Sequence, residues 1–478
     1  MNQNLTSRQQ WINKQWWLSG IDLDVERQQA RDEGRIMTRI EPALKKLMAV
    51  PLPPGVDGHV GGARDERWMQ RAWAALDAVQ ATPLRAGYPH HEPDDMPGIR
   101  DARPAAVPLP RWSGSRQTHF ERVHGALLGR LAGCMLGKPV EFWTRNQIRI
   151  QGEITGNWPL GDYFRWPSAA ETVRIRRRDK GALFSPNLPH QVNSTRPALK
   201  GACVDDDINY TVTGYAMMKR YGRDFTPSDV AAFWISRIPL AFACTAERAA
   251  YRNFAACIVP PESARHRNPY REWIGAQIRA DYFGYANPGQ PERAAEWAWR
   301  DACISHVRNG IYGEMWVAAM LAAAAVADSW PAVIHAGLAQ IPARCRLREA
   351  VENMLRRHAD GWDYEQVVDE LHQRWQERNF HHWCHVIPNA EVVTLALLWG
   401  EDNFTRTIGG AVMAGFDTDC NGATAGSLWG MRFGARAIPA LWTKPLRDQL
   451  QTTVEGYHRY SISKLAGEMV DLAREHAR

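Results

Sequence analysis

The sequence predicts an all-α protein. Apolar residues recur at three- and four-residue spacing in one segment after another, and alternating strand patterns are sparse. Two series of glycines, Gly125, Gly129, Gly133 and Gly137, then Gly422, Gly426, Gly430 and Gly434, recur every fourth residue, which on a helix lines each series along one face. A glycine inside a helix costs about 1 kcal/mol relative to alanine, so these series need an offsetting gain. A bare ridge lets another backbone approach closely, and the two ridges are expected to pack on each other.

Taken in order, 478 residues at 45% hydrophobic composition permit a large core and one or two domains. Residues 1–82 read as a helical extension, with helical patterns over 36–49 and 66–79 and no evident chemistry. Residues 83–115 are a connector, with seven prolines between Pro83 and Pro110. The main domain is expected over 116–478. Within it, residues 148–200 are rich in Pro, Gly, Arg and aromatics and show little periodicity, reading as a long loop or a small insertion. Their place in the sequence, between Glu141 and a run of aspartates, makes them a candidate lid. Arg174, Arg176, Arg177 and Arg178 suit a solvated face or a phosphate contact. Helices are expected near 227–242, 246–256, 293–306, 312–327, 347–356, 364–378 and 390–399. No repeat at solenoid spacing occurs.

The net charge of +6 is modest and its basic residues are scattered among acids, so a nucleic-acid groove is not indicated. The eight cysteines show no CxxC spacing and suit reduced thiols, which makes a reducing cytoplasm the default setting. Residues 1–20 lack a signal-like apolar core, and the most apolar run, 315–327, is too short to span a bilayer.

The chemistry gathers in three acidic elements. Asp417 and Asp419 flank Thr418 and precede Cys420 and Asn421, so both carboxylates can converge on one cation. Glu141 follows Pro139, which should stop the first glycine-rich helix and turn the carboxylate off its end; ridge-to-ridge packing would carry it towards Asp417 and Asp419. Asp205, Asp206 and Asp207 are three adjacent like charges at the head of an apolar stretch, and clustered hard oxygens usually hold Mg²⁺, Mn²⁺ or Ca²⁺. The plainer reading is an acidic helix cap and an unrelated turn. Phe142, Trp143 and Trp383 are the expected site-facing aromatics among 21 tryptophans and other rings. Asn309, Gly310 and Tyr312 line a ligand cleft or form a helix-terminus turn. His306 and His385 are candidates to protonate a leaving group, or structural histidines.

Three motifs in order, Gly133-Cys-Met-Leu-Gly137-Lys-Pro-Val-Glu141, Asp205-Asp206-Asp207-Ile208-Asn209-Tyr210-Thr211 and Gly415-Phe-Asp417-Thr-Asp419-Cys420-Asn421, give residues from about 123 onward a resemblance to the ADP-ribosylglycohydrolase superfamily, which includes dinitrogenase reductase-activating glycohydrolase. The resemblance implies a compact multi-helix domain, two Mg²⁺ or Mn²⁺ ions held by the second and third motifs, and a glutamate in the first that positions the attacking water. Carried over, the ligands are Asp205, Asp206, Asp207, Asp417 and Asp419, with Glu141 and Asp417 as catalytic residues. This chain departs from the family in having Cys134 for an aspartate, Asp205-Asp206-Asp207-Ile208 for Thr-Asp-Asp-Thr, and Cys420 for a threonine. Aligning Asp205 with the first threonine keeps Thr211 in step; the other register places Val204 there and leaves Asp207 outside the ligand set.

The residues and the resemblance together suggest a metal-dependent hydrolase of a ribosyl glycosidic bond, its substrate an ADP-ribosylated protein or an ADP-ribose derivative. Two alternatives stand beside it: a glycosidase acting on a nucleoside, nucleotide or other sugar, and a protein that binds ADP-ribose or a partner without hydrolysis.

Overall fold

Helix after helix follows the apolar spacing of the sequence in the computed structural model, which describes residues 20–51, 64–106 and 108–476. Among the described residues the only strands, Gln449–Gln451 and Arg459–Ser461, make one short antiparallel pair. The expectation for residues 1–20 lies, apart from Gly20, outside the described residues.

The first three helices, α1 (Leu23–Asp32), α2 (Glu41–Met48) and α3 (Glu66–Gln80), enclose their own apolar cluster of Leu23, Leu44, Leu47, Trp68, Leu76 and Val79. Asp22 caps α1 by accepting from the Val25 amide, and Asp65 caps α3 by accepting from that of Trp68. Residues 83–115 are more than a spacer. They carry a short helix, Met96–Ala102, and are pinned to the body: Glu92 pairs with Arg346 at 2.8 Å, and Asp94 accepts the Arg308 amide at 2.7 Å.

Two long helices organise the remainder. α4 (Arg116–Gly137) starts at a Ser115 cap and ends where Pro139 enters the tight turn Lys138–Val140. Further on come α5 (Asp206–Tyr221), α6 (Arg308–Ala324), α7 (Val386–Trp399), α8 (Phe404–Met413), α9 (Thr418–Phe433) and α10 (Ile462–His476). α9 lies antiparallel along α4; α8 and α7 back α9, α10 covers α4, and α6 runs through the centre with nearly every residue buried.

The ridge contact takes a definite register. A Cβ added at Gly129 would fall on the Gly426 carbonyl, one at Gly133 on that of Gly422, and one at Gly426 back on that of Gly129. Gly125 faces Gly430, and Gly137 faces Thr418 rather than a glycine. Gly434 sits one residue past the end of α9 at φ 85°, where it lets the chain turn away, and its backbone still lies against Gly125.

Residues 148–200 depart from the expected irregular loop. The segment holds helices Arg145–Thr155, Ala169–Arg178 and Pro189–Ser194, the first two opened by reciprocal capping boxes at Thr144/Gln147 and Ser168/Glu171. Their short lengths and mixed polarity hide the period. The expected helix at 227–242 is also broken, stopping at Arg237 before Pro239.

Candidate metal and catalytic site

Three chain ends meet where α4 and α9 finish their contact. Asp417 stands at the head of α9 and Asp419 in its first turn, Asp205 caps α5 with Asp206 and Asp207 following, and Glu141 closes the turn after α4. The Thr418 hydroxyl donates to the Gly137 carbonyl at 2.9 Å, which stitches the α9 motif to the turn that carries Glu141. Backbone in the left-handed region marks both approaches: Phe142 has φ 66° and Phe416 φ 58°, each next to a site carboxylate. Such conformations are costly and persist only where the surroundings fix them.

The electrostatics show that the six carboxylates share one neighbourhood. Burial, then Asp419, pushes Glu141 well above the ordinary carboxylate range. Burial followed by Asp205 and Asp419 does the same to Asp206, and burial followed by Asp419 and Glu141 does so to Asp417. Asp419 is raised to about 6 by burial and Asp205. Against the upward pull of burial, Lys138 and the Asp207 amide hold Asp205 below its usual value.

The donor set fits a hard divalent ion. Asp417, Asp419 and Cys420 each bring a ligand atom within 4.8 Å of the others, and so do Cys134, Asp205 and Asp207. Asp419 Oδ1 and Asp207 Oδ2 are buried with no hydrogen-bond partner, an expensive state for a carboxylate oxygen that a cation would relieve. The thiols of Cys134 and Cys420 are pushed well up, first by burial and then by the aspartates, and are poor ligands for such an ion.

The predicted aromatic and polar contacts divide. Phe142, which is 60% exposed, stacks on Trp383 with centroids 4.6 Å apart, and Trp383 stacks on Phe380, so an aromatic shelf begins one residue from Glu141. Trp143 is a correction: it is buried and stacks on Phe184 of the 148–200 segment, turning away from the shelf. Asn309, Gly310 and Tyr312 are corrections too. Asn309 donates to Glu92, Tyr312 donates to the Pro93 carbonyl at 2.6 Å, and a Cβ at Gly310 would meet the Arg271 carbonyl, so this turn grips the connector rather than a ligand. His306 lies against Ser305 and near Glu247, and His385 accepts from the Ile387 amide beside Glu272; neither reaches the carboxylates.

Sequence reasoning missed four polar residues. Lys138 meets Asp205 through its ammonium, and Arg130 donates to Asp207 Oδ1 at 2.8 Å while pairing with Asp281 at 2.8 Å. A lone arginine and lysine in the otherwise apolar, glycine-rich stretch 125–140 were the available signal. Asn389 accepts from the Asp417 amide and from Asn421 and donates to the Trp383 carbonyl, linking the shelf to the α9 motif. His190, from the 148–200 segment, sits within electrostatic reach of Lys138 and Asp205, so that segment does border the site.

A second histidine–acid group, Asp32, His381 and His385, is not a ready metal site. His381 Nδ1 accepts from Trp273 Nε1 at 3.0 Å, which leaves the proton on Nε2, where it faces Asp32 at 2.9 Å.

The family model for ADP-ribosylglycohydrolase matches residues 115–477. The chain belongs to the ADP-ribosylglycohydrolase family. Membership brings glycohydrolase chemistry on ADP-ribose-like substrates and a usual dependence on divalent metal. A solved structure titled "ADP-ribosylglycohydrolase-related protein complex" is similar at 16% identity, covering 76% of this chain and 100% of its own, with a TM-score of 0.41. No curated protein matches. Among the described residues of this family member, no helix is long and apolar enough to cross a membrane.

Proposed function

We propose that the chain is a divalent-metal-dependent glycohydrolase that cleaves the ribosyl glycosidic bond of an ADP-ribosylated protein or an ADP-ribose derivative. One observation carries this reading: two aspartate motifs more than 200 residues apart in sequence, and Glu141 at the turn stitched to the second of them, share one neighbourhood beside an aromatic shelf. Asp205, Asp206, Asp207, Asp417 and Asp419 are the residues available to hold Mg²⁺ or Mn²⁺. The bound metal supplies a Lewis acid that orients ribose hydroxyls and makes water more acidic. Glu141, at the turn that ends α4 and outside the metal-holding set, acts as general base on the attacking water or binds it. The surrounding carboxylates favour the positive charge that develops on the ribosyl ring in an oxocarbenium-like transition state. Phe142, stacked on Trp383, offers a flat apolar face beside Glu141 on which a base or sugar ring can lie. A cytoplasmic setting is proposed with this reading, supported by eight free cysteines.

The test is a screen of ADP-ribosylated proteins, ADP-ribose conjugates and simple ribosides with Mg²⁺, with Mn²⁺ and with chelator. Release of ADP-ribose that requires metal and disappears in Asp417→Ala supports the proposal. Turnover of simple ribosides alone would move the assignment to a nucleoside-type glycosidase. Binding of ADP-ribose without cleavage of any substrate would make the chain a binding protein.

A further inference from the structure

The carboxylates of the site differ in what the protein itself sets against them. On the α5 side both flanking aspartates already have partners. Asp205 meets the Lys138 ammonium through Oδ2 and accepts the Asp207 amide through Oδ1 at 3.0 Å. Asp207 takes Arg130 Nη2 at 2.8 Å on Oδ1, and its carbonyl accepts from Arg130 Nε at 3.1 Å and Nη2 at 3.0 Å, which leaves Oδ2 as the one buried carboxylate oxygen of this pair without a hydrogen-bond partner. On the α9 side, among the described residues, no cationic side chain pairs with Asp417 or Asp419, and Asp419 Oδ1 is buried without a hydrogen-bond partner.

Lys138 is placed as firmly as the aspartates. It is the first residue after α4, between Gly137, whose α-carbon is pressed against the Thr418 backbone, and Pro139, which fixes the turn. Burying an ammonium costs several kcal/mol unless charges answer it. Here Asp205 answers it directly, with Asp419 and Glu141 close by. An ammonium that forms one wall of a carboxylate cage, touching an aspartate otherwise expected to be a metal ligand, supplies from the chain itself positive charge that a metal would bring.

We propose that Lys138 is a built-in cation that takes the place of one of the two divalent ions expected from the motifs, so that the site binds a single hard divalent ion, with Asp417 and Asp419 as its carboxylate ligands. This rests on the metal reading given above and narrows it. Asp205 then serves as the counter-ion of Lys138, and Asp207 as that of Arg130. One end of the cage keeps its charge whatever the metal supply, and the other is loaded and emptied.

Calorimetric titration and equilibrium dialysis of the full chain with Mn²⁺ alone read the stoichiometry directly. The expected result is one ion per chain in the wild type and two in Lys138→Met, which keeps the length of the side chain and removes its charge. Asp205→Asn should still bind one ion, and Asp419→Ala none; these two variants decide the matter if Lys138→Met does not fold. Two ions in the wild type would overturn the role of Lys138 and leave the metal-dependent reading standing. One ion in both wild type and Lys138→Met, or loss of binding in Asp205→Asn, would also overturn it. No saturable Mn²⁺ binding in the wild type would remove the metal reading itself.

Discussion

The joint between α4 and α9 and the joint between the N-terminal helices and the body both border the candidate site, and they are held by opposite physics. The first is backbone against backbone. Four consecutive turns of α4 come so close to α9 that no side chain fits between them, and the gain is dispersion and exclusion of water along a continuous seam. The second is charge against charge. Arg271 is buried and bonds Glu26 at 2.6 Å and Glu33 at 2.6 Å; Arg267 pairs with Asp77 at 2.7 Å; Asp32 accepts from His381 beside the aromatic shelf. A seam of glycines tolerates no added atoms and is indifferent to pH, whereas a charged joint tolerates reshaping but not the loss of one partner. The candidate site carboxylates hang on the rigid seam, and the shelf hangs partly on the charged joint.

The largest effect should come from filling the seam. Gly129→Leu would drive a side chain into the Gly426 carbonyl, where neither backbone can yield, so the cost exceeds the ~1–3 kcal/mol typical of overpacking a core. Little folded protein is expected, and Gly129→Ala should be folded but clearly weakened; denaturant midpoints equal to wild type would mean that the two helices do not touch.

Next in size is the charged joint. Arg271→Ala leaves Glu26 buried without its salt bridge, at a cost of about 3–5 kcal/mol, while Glu33 keeps Arg35 at 2.6 Å. Replacing Arg271 and Glu26 together by apolar residues of similar volume should recover much of that loss, an outcome the glycine seam offers no counterpart to. Hydrogen exchange of residues 23–32 reports it: faster exchange in the single variant, restored protection in the double.

The carboxylates at the end of the seam and the charged joint should respond to pH in opposite senses when no metal is added. Asp419 has an ordinary value of 3.8 and a folded value of about 6. Between these the native state keeps a proton that the unfolded chain has lost, so its stabilising contribution fades as pH rises through that window, by about 3 kcal/mol. His381 is pushed down from 6.5 to about 4 by burial, with Asp32 opposing. Below pH about 6.5 the unfolded chain gains a proton that the native state refuses, so this contribution is lost as pH falls. Denaturant stability of Asp419→Asn should therefore decline less steeply towards neutral pH than wild type, and that of His381→Gln less steeply towards acid. If both variants keep the wild-type profile, the burial assigned to these groups is wrong.

The smallest expected effect is on the shelf. Phe142→Ala removes one face of the stack with Trp383 and should weaken ligand affinity by about 0.5–1.5 kcal/mol with kcat little changed.

These contrasts also explain what was legible in the sequence. The glycine spacing revealed the α4–α9 seam because a helix period is written locally, and it carried Glu141 to Asp417 and Asp419 with it. The register was less legible: Gly434 meets Gly125 from one residue past the helix end, and Gly137 meets Thr418 rather than a glycine. The charged joint was invisible, since pairs such as Arg271 with Glu26 join residues far apart and leave no periodic trace. For the same reason the sequence leaves Asn309 and Tyr312 between a ligand cleft and a helix-terminus turn, and does not disclose their partners, Glu92 and Pro93. Trp143, adjacent to the exposed Phe142, points the other way because Phe142 turns the backbone at positive φ, which no composition rule reveals.

The central claim is that the seam delivers a hydrolytic carboxylate, and Glu141→Gln tests it most directly, because it keeps shape and hydrogen-bonding reach while removing the base. With one labelled ADP-ribosyl substrate and Mg²⁺ present, the variant should bind ligand as wild type does and release ADP-ribose about 10²- to 10⁴-fold more slowly. Equal rates of release from wild type and Glu141→Gln would contradict the account.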